Sequence, residues 1–243
     1  TVESWLSMMK EAIALDADEI QLYRLKVEPY GDGEGRVTRL KGERPDDFPS
    51  GDDAIRMKAG ARALLNDAGY FENLSRVYSK KPEIYSHYAH NQCCDLEEQV
   101  GFGQTAFSSL RDRFSINTED LNEYYERIES MQLPITRGLH RTREQQLRWT
   151  FILPLKARTI VKSRFLMQTG VPLEQMFVAK VARLKEHGLL WESDTELGLT
   201  EVGRFFAEEV AHQFHHPDHI PYPATEYADG PLHPYRDQDP LAD

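Results

Sequence analysis

Hydrophobic residues near the start of the chain recur at the three-to-four-residue spacing of a helix that buries one face. The positions that share this face are Trp5, Leu6, Met9 and Ile13. Residues 20–25 then alternate between apolar and polar and predict a strand. A second helix is predicted over residues 53–68, with Gly69 ending it. This order predicts α/β units around a parallel sheet, whose last strands would come from residues 70–71 and 85–88.

The second half of the chain is predicted to be mainly helical. Thr118 is placed to cap one helix, and Thr142 with Gln145 forms a capping-box pattern that opens another. Pro154 should kink that helix or end it. Residues 172–212 predict a helix, a short hairpin and a second helix, an order typical of a winged-helix module. The proline-rich residues 215–243 predict an extended tail.

Composition narrows the class of protein. Hydrophobic residues make up 40% of the chain and no apolar run approaches the roughly 20 residues of a membrane helix, so no membrane-spanning segment is predicted. A formal net charge of −11 disfavours nucleic-acid binding. The two cysteines are adjacent, which favours a reducing, cytoplasmic setting over a disulfide framework. The chain begins with Thr1 and has no signal-peptide pattern, so we expect it to begin inside a longer protein.

Several short motifs occur in a fixed order along residues 1–214. They are Thr1-Val2-Glu3-Ser4-Trp5, the run from Leu22-Tyr23 to Glu28-Pro29, His90-Asn91, Gly-x-Gly-x-x-Ala-x-Ser at 101–108, Arg137-Gly138 and Leu199-Thr200-x-x-Gly203. Together they resemble the C-terminal half of HemN/HemW-type radical S-adenosylmethionine (SAM) proteins, the oxygen-independent coproporphyrinogen III oxidase family. The resemblance implies an α/β fold: the last part of a partial TIM barrel over residues 1–112, a mostly helical, winged-helix-like domain over 113–214, and the tail 215–243.

The resemblance also implies a set of cofactor contacts. SAM would be held by main-chain groups of Leu25 and Lys26 and by the loop that contains Gly101, Gly103 and Phe107. Glycines allow a backbone to approach a ligand closely, and a phenylalanine ring can pack on the purine. Taken without the resemblance, the same residues favour a tight turn and a core phenylalanine.

The three-cysteine motif that defines the family, Cys-x-x-x-Cys-x-x-Cys, does not occur in this sequence. Cys93 and Cys94 cannot replace it, because adjacent thiolates do not fit the corners of a cubane cluster. The resemblance therefore implies a 4Fe-4S cluster whose ligands belong to a preceding part of the protein. This chain alone is expected to be inactive, and we assign it no catalytic residue.

Arg113, Asn117, Arg137 and Arg141 are candidates for binding a substrate. The resemblance supports Arg113, Asn117 and Arg137, and guanidinium groups suit carboxylates such as the propionates of a tetrapyrrole. The alternative for the arginines is a surface ion pair with acids such as Asp112. For Arg141 we favour that alternative.

Two histidine-containing patterns have the spacing of metal ligands. The first is His87-x-x-His90-x-x-Cys93, but on a strand such steps alternate between faces. The second is the group His212, His215, His216 and His219, which is more typical of a solvated helix end. We predict no metal site at either.

The function that the resemblance implies is a radical SAM oxidoreductase. It would act on a porphyrinogen-like or other large substrate and take electrons from a flavodoxin- or ferredoxin-type donor. A methyltransferase or cyclopropane-forming relative with a second SAM, and a haem chaperone without turnover, stay open as alternatives. A nucleic-acid-binding winged helix ranks last, because the helix predicted from residue 173 carries few basic residues. The exact substrate and the oligomeric state are left open.

Overall fold

The structure is a computed structural model that describes residues 1–25, 36–81, 83, 87–220 and 222–238. The chain divides into two compact units, Thr1–Ser86 and His87–Asp243. The predicted boundary at 112/113 falls in the turn of a hairpin in which Leu110 pairs with Arg113. Within the described residues, no helix has both the length and the apolarity needed to cross a membrane.

Among its described residues, the first unit contains three α-helices, the 3₁₀ turn Pro45–Asp47 and three short strands. Thr1 begins the first helix with a capping box, and Ser50 begins the longest one by accepting a hydrogen bond from the Asp53 N–H. Gly69, at φ +82°, follows the end of that long helix, as predicted. The elements are α1 (Val2–Ala14), β1 (Glu19–Gln21), α2 (Arg36–Glu43), α3 (Gly51–Asp67), β2 (Phe71–Leu74) and β3 (Val77–Ser79).

The core of the first unit lies where α1 packs on α3. A Cβ atom at Gly60 would lie 2.6 Å from a Leu6 methyl group, so the glycine allows the two helices to approach closely. The Trp5 indole N–H donates to the Met57 carbonyl at 3.0 Å across the same contact. The buried residues that form this core cluster are Met9, Ala61, Leu65, Tyr70 and Tyr78.

The sheet of the first unit corrects one expectation. Its strand order is β1-β3-β2 and both pairings are antiparallel, whereas we had predicted a parallel sheet. The reason is the short connection between β2 and β3, which a parallel pair cannot have; Arg76, at φ +72°, makes this turn. The prediction of a strand over residues 85–88 is also wrong for residues 87 and 88, which the structure describes, since residues 87–90 are helical.

The second unit begins with a short helix and an antiparallel sheet. The helix continues into a π-helical turn, Asn91–Asp95. Asp120 caps the helix between the second and third strands; the predicted cap, Thr118, is buried and instead donates to Glu123. The sheet order is β4-β5-β6. The elements are α4 (His87–His90), β4 (Phe107–Leu110), β5 (Arg113–Asn117), α5 (Leu121–Glu129) and β6 (Ile135–His140).

The rest of the second unit surrounds an aromatic core. Thr142 and Gln145 form the predicted capping box, and Pro154 lies in the last turn of the helix that they begin. The helix predicted from residue 173 begins later, because Phe177 adopts a left-handed conformation with φ +51°. The elements are α6 (Arg143–Ala157), β7 (Thr159–Val161), α7 (Lys162–Thr169), α8 (Val178–Glu186), β8 (Leu190–Glu192), β9 (Glu196–Leu199), α9 (Glu201–Phe205) and α10 (Ala207–His212). The largest rings in the core are Phe151, Phe165, Phe177 and Phe214.

The histidines after α10 do not form a fully solvated helix end. His215 is largely buried, its ring lies 5.0 Å from that of His212, and burial lowers the pKa of His215 to about 4. His212, Lys156 and Arg148 disfavour the protonated ring further, while Glu208 favours it. The segment expected to be an extended tail contains two short 3₁₀ turns, Pro217–His219 and Ala224–Glu226.

The low pKa of His215 predicts a pH dependence of stability. Because the unfolded histidine titrates near 6.5 and the folded one near 4, the unfolded chain binds more protons between these values. The free energy of unfolding is therefore not reduced by His215 above about pH 6.5, and it decreases as the pH falls towards 4. Urea unfolding should show that the free energy of unfolding falls between pH 7 and pH 5. This fall should be about 2 kcal/mol smaller in H215Q than in the wild type. The exposed His219 supplies the control, H219Q, which should keep the wild-type pH dependence.

Candidate functional site

A loop at the start of β4 carries two of the predicted cofactor residues. A Cβ atom at position 101 would lie 2.4 Å from the Phe107 carbonyl oxygen, so only glycine fits there. Gly103 adopts φ +104°, a conformation that favours glycine. The Gly101 N–H donates to the Ser108 hydroxyl at 3.1 Å. The loop is therefore fixed against β4 by its own backbone.

Asn117 holds the same loop from the neighbouring strand. Its side-chain amide donates to the Gly103 carbonyl at 2.8 Å and to the Gly101 carbonyl at 3.4 Å. Asn117 is buried, and its own backbone N–H donates to the Ala106 carbonyl at 2.9 Å. These contacts use the amide inside the protein, so Asn117 supports the loop in this structure.

Phe107 lines a small cavity beside this loop. The cavity has a volume of about 100 Å³. Phe107 stacks on Phe114 with ring centroids 5.6 Å apart and an interplanar angle of 30°. Helix α6 contributes Trp149 and Leu153 to the opposite wall. The remaining lining residues are Gln92, Glu97 and Ser109. The walls thus combine flat apolar surfaces with a few polar groups, which suits a planar ring with polar edges.

Arg141 lies behind this cavity and is not paired at the surface as we had expected. It is 8% exposed, and its guanidinium lies 4.2 Å from the centre of the Trp149 ring. The guanidinium donates to the Ser109 hydroxyl at 3.0 Å and to the Arg111 carbonyl at 3.1 Å. Within the described residues it forms no ion pair with a carboxylate, and its burial lowers the pKa of Arg141. Its stacking on Trp149 holds one wall of the cavity in place.

The other two candidate arginines lie on opposite faces of one sheet. Arg113 pairs with His140, whereas Arg137 pairs with Ile116, and residues directly opposite each other in an antiparallel sheet share a face. Since Phe107 also pairs with Ile116, Arg137 shares the face of Phe107, and Arg113 does not. The Arg113 guanidinium lies 3.9 Å from the Asp112 carboxylate. The sheet therefore does not bring the two arginines together.

The remaining predicted cofactor residues lie in the first unit. Leu25 is 62% exposed and follows β1, outside any strand. Lys26 lies outside the described residues.

Cys93 and Cys94 lie in the π-helical turn. Because His87, His90 and Cys93 follow one another on helical turns, the strand geometry that we assumed for them is wrong. Among the described residues, no group of three histidine, cysteine or acidic side chains is arranged to hold a metal ion. Burial raises the pKa of the Cys94 thiol to about 12, so this thiol stays protonated at neutral pH.

The sequence did not single out Trp149, Phe114 or Arg141 as parts of one site. They come together because α6 packs its Trp149 side over the face of the sheet that carries Phe114. Trp149 and Leu153 are four residues apart on a predicted helix, which was the one available signal that they share a face.

Comparison with known proteins tests the resemblance. The fold is similar to that of coproporphyrinogen III oxidase (HemN) from Escherichia coli, a radical SAM enzyme, with a TM-score of 0.68 and 18% sequence identity. The sequence is 28% identical over 168 residues to the oxygen-independent coproporphyrinogen III oxidase of Pseudomonas aeruginosa. The resemblance to HemN-like proteins is confirmed. No family model matches the chain.

The similarity to both HemN-like proteins is partial. The structural match covers 88% of this chain and 51% of the E. coli chain. The sequence match covers 64% of this chain and 35% of the P. aeruginosa protein. The chain thus has the mixed α/β fold of part of a HemN-like protein and spans only about a third of the length of that curated relative.

The tight contact at Gly101 predicts a specific loss of stability. In G101A, the new methyl group would overlap the Phe107 carbonyl, and relieving this contact should cost about 2 kcal/mol or more. Urea unfolding followed by tryptophan fluorescence measures this cost, since Trp149 and Trp191 both lie in the second unit. The matched control is G138A, whose Cβ atom would meet its nearest neighbour at an ordinary 3.8 Å. Equal stabilities of G101A and G138A would contradict the assignment of this constraint.

Proposed function

We propose that this chain forms the part of a radical SAM enzyme that helps to bind the adenosyl group of SAM and a carboxylate-bearing substrate. The observation that carries the proposal is the match of 168 residues to an oxygen-independent coproporphyrinogen III oxidase. The cavity beside Phe107 supports the proposal, because Phe107 lines it and the sequence resemblance independently implies that Phe107 contacts SAM. The substrate class is tetrapyrrole-like, with electrons supplied by a flavodoxin- or ferredoxin-type protein in the cytoplasm.

The described residues fit the adenosyl group better than the cluster. Phe107 and Phe114 offer stacked rings at the cavity, and Gln92 and Ser109 offer polar groups for the edge of a base. A 4Fe-4S cluster, when bound, supplies the electron for reductive cleavage of SAM. Its three thiolate ligands have no counterpart among the described residues, so we propose that they come from another segment.

Each residue then has a limited role. Phe107 packs on the purine and helps to exclude water from one side of it. Gly101, Gly103 and Asn117 keep the loop in a single conformation, so that the ring is already oriented before the ligand arrives. Arg137, on the same sheet face as Phe107 and two strands away, is the candidate for a substrate carboxylate. Arg113 is a weaker candidate, because it faces away from Phe107 and lies near Asp112.

SAM binding tests the proposed role of Phe107. F107A should raise the Kd for SAM about tenfold, because it removes the aromatic surface on which the purine packs. Isothermal titration calorimetry of the full chain with SAM measures this change. The matched control is F102A, since Phe102 lies in the same loop, is 89% exposed and does not line the cavity. Equal SAM affinities of F107A and the wild type would overturn the assignment.

A longer polypeptide, in which a Cys-x-x-x-Cys-x-x-Cys segment precedes residue 1, tests the reaction class. After anaerobic reconstitution with iron and sulfide, SAM and a reductant should yield 5′-deoxyadenosine, measured by liquid chromatography. F107A should lower this yield while F102A leaves it unchanged. Intact cluster absorbance and SAM binding without any 5′-deoxyadenosine would contradict an oxidoreductase and favour a haem-binding protein.

A further inference from the structure

The segment that follows α10 returns to helix α8 and is held there by a buried lysine. Lys180 lies on α8 and is 1% exposed. Its ammonium group donates to the Gln213 carbonyl at 2.5 Å and to the Pro234 carbonyl at 2.9 Å. One side chain thus joins α8, the end of α10 and a residue near the end of the described chain.

Two more side chains hold the same segment. Arg183 lies three residues after Lys180 on α8, and its Nε donates to the Asp237 carboxylate at 2.7 Å. Its Nη1 donates to the Pro231 carbonyl. The Gln213 amide donates to the Leu232 carbonyl at 2.8 Å, and Leu232 packs against the aromatic core. The described segment is therefore attached at four successive points between residues 231 and 237.

The segment has an internal structure that does not depend on a sheet or a long helix. Within residues 222–238, the regular structure consists of the short 3₁₀ turn Ala224–Glu226. The Tyr235 hydroxyl donates to the Tyr222 carbonyl at 2.8 Å, and Arg236 lies 2.9 Å from the Asp229 carboxylate. Lys180, Arg183 and Gln213 supply its hydrogen bonds to the rest of the second unit, and it could leave without breaking a strand pairing.

We propose that residues 222–238 form a strap that opens and closes over helix α8, and that the buried Lys180, together with Arg183 and Gln213, holds it closed. A buried ammonium group needs hydrogen-bond acceptors, and the closed strap supplies one of them. In the open state, water replaces the Pro234 carbonyl, and the side chains of Lys180 and Arg183 become exposed to solvent. The strap is independent of the proposed SAM chemistry, because none of its contacts involves the cavity beside Phe107.

Amide hydrogen exchange, measured by mass spectrometry on the full chain, tests the strap. K180M keeps the aliphatic volume of the side chain and removes the donor, so exchange within residues 222–238 should speed up about tenfold. Exchange in β8 and β9 should stay unchanged. The matched control is K185M, because Lys185 lies on the same helix and its ammonium group contacts Glu192 instead of the strap. K185M should leave exchange in residues 222–238 at the wild-type rate.

Two results would overturn the proposal. Unchanged exchange of the strap in K180M would mean that Lys180 does not hold it. A parallel increase in the strap and in β8 and β9 would mean that Lys180 supports the whole unit. A second variant, the chain ending at Asp229, separates these cases without changing Lys180. It should keep the wild-type protection of β8 and β9 if the strap is a separable element, and loss of that protection would also contradict the proposal.

Discussion

The cavity in the second unit depends on the contact between the backbone of Gly101 and the backbone of Phe107. No side chain fits between them, so the loop and strand β4 come as close as two backbones can. Asn117 then joins the loop to strand β5 through two loop carbonyls. This constraint places the Phe107 ring on the sheet face that α6 covers, and the cavity exists because that placement is fixed.

Arg141 and Arg137 illustrate how burial decides the role of a charge. Arg141 is enclosed by Ser109, Arg111 and Trp149, so its guanidinium serves as packing and as a hydrogen-bond donor within the protein. Arg137 is exposed on the sheet face that carries Phe107, and its guanidinium is the group that we propose for a substrate carboxylate. The same residue type therefore supports a wall in one position and is open to solvent in the other.

The similarity to HemN-like proteins and the local geometry support different conclusions about this chain. The similarity provides the fold, and the chain spans about half of the E. coli structure. The geometry of the second unit provides roles for individual residues. In the C-terminal strap, Lys180 and Arg183 form contacts that join helix α8 to residues 231–237, a part of the chain for which the resemblance implied no role.

Local patterns along the sequence were sufficient to predict the helices that begin with a capping box and the glycines that require special backbone geometry. Thr142 begins α6 and Gly69 follows α3, because capping and left-handed conformations depend on residues close in sequence. The ordered motifs also indicated the resemblance to HemN-like proteins, which the comparisons confirm. Only the tertiary structure decided that the sheet of the first unit is antiparallel and that Arg113 and Arg137 face apart. It also decided that Asn117 binds the loop and that Arg141 stacks on Trp149. These features depend on strand register and on packing between distant segments, and neither leaves a local pattern in the sequence.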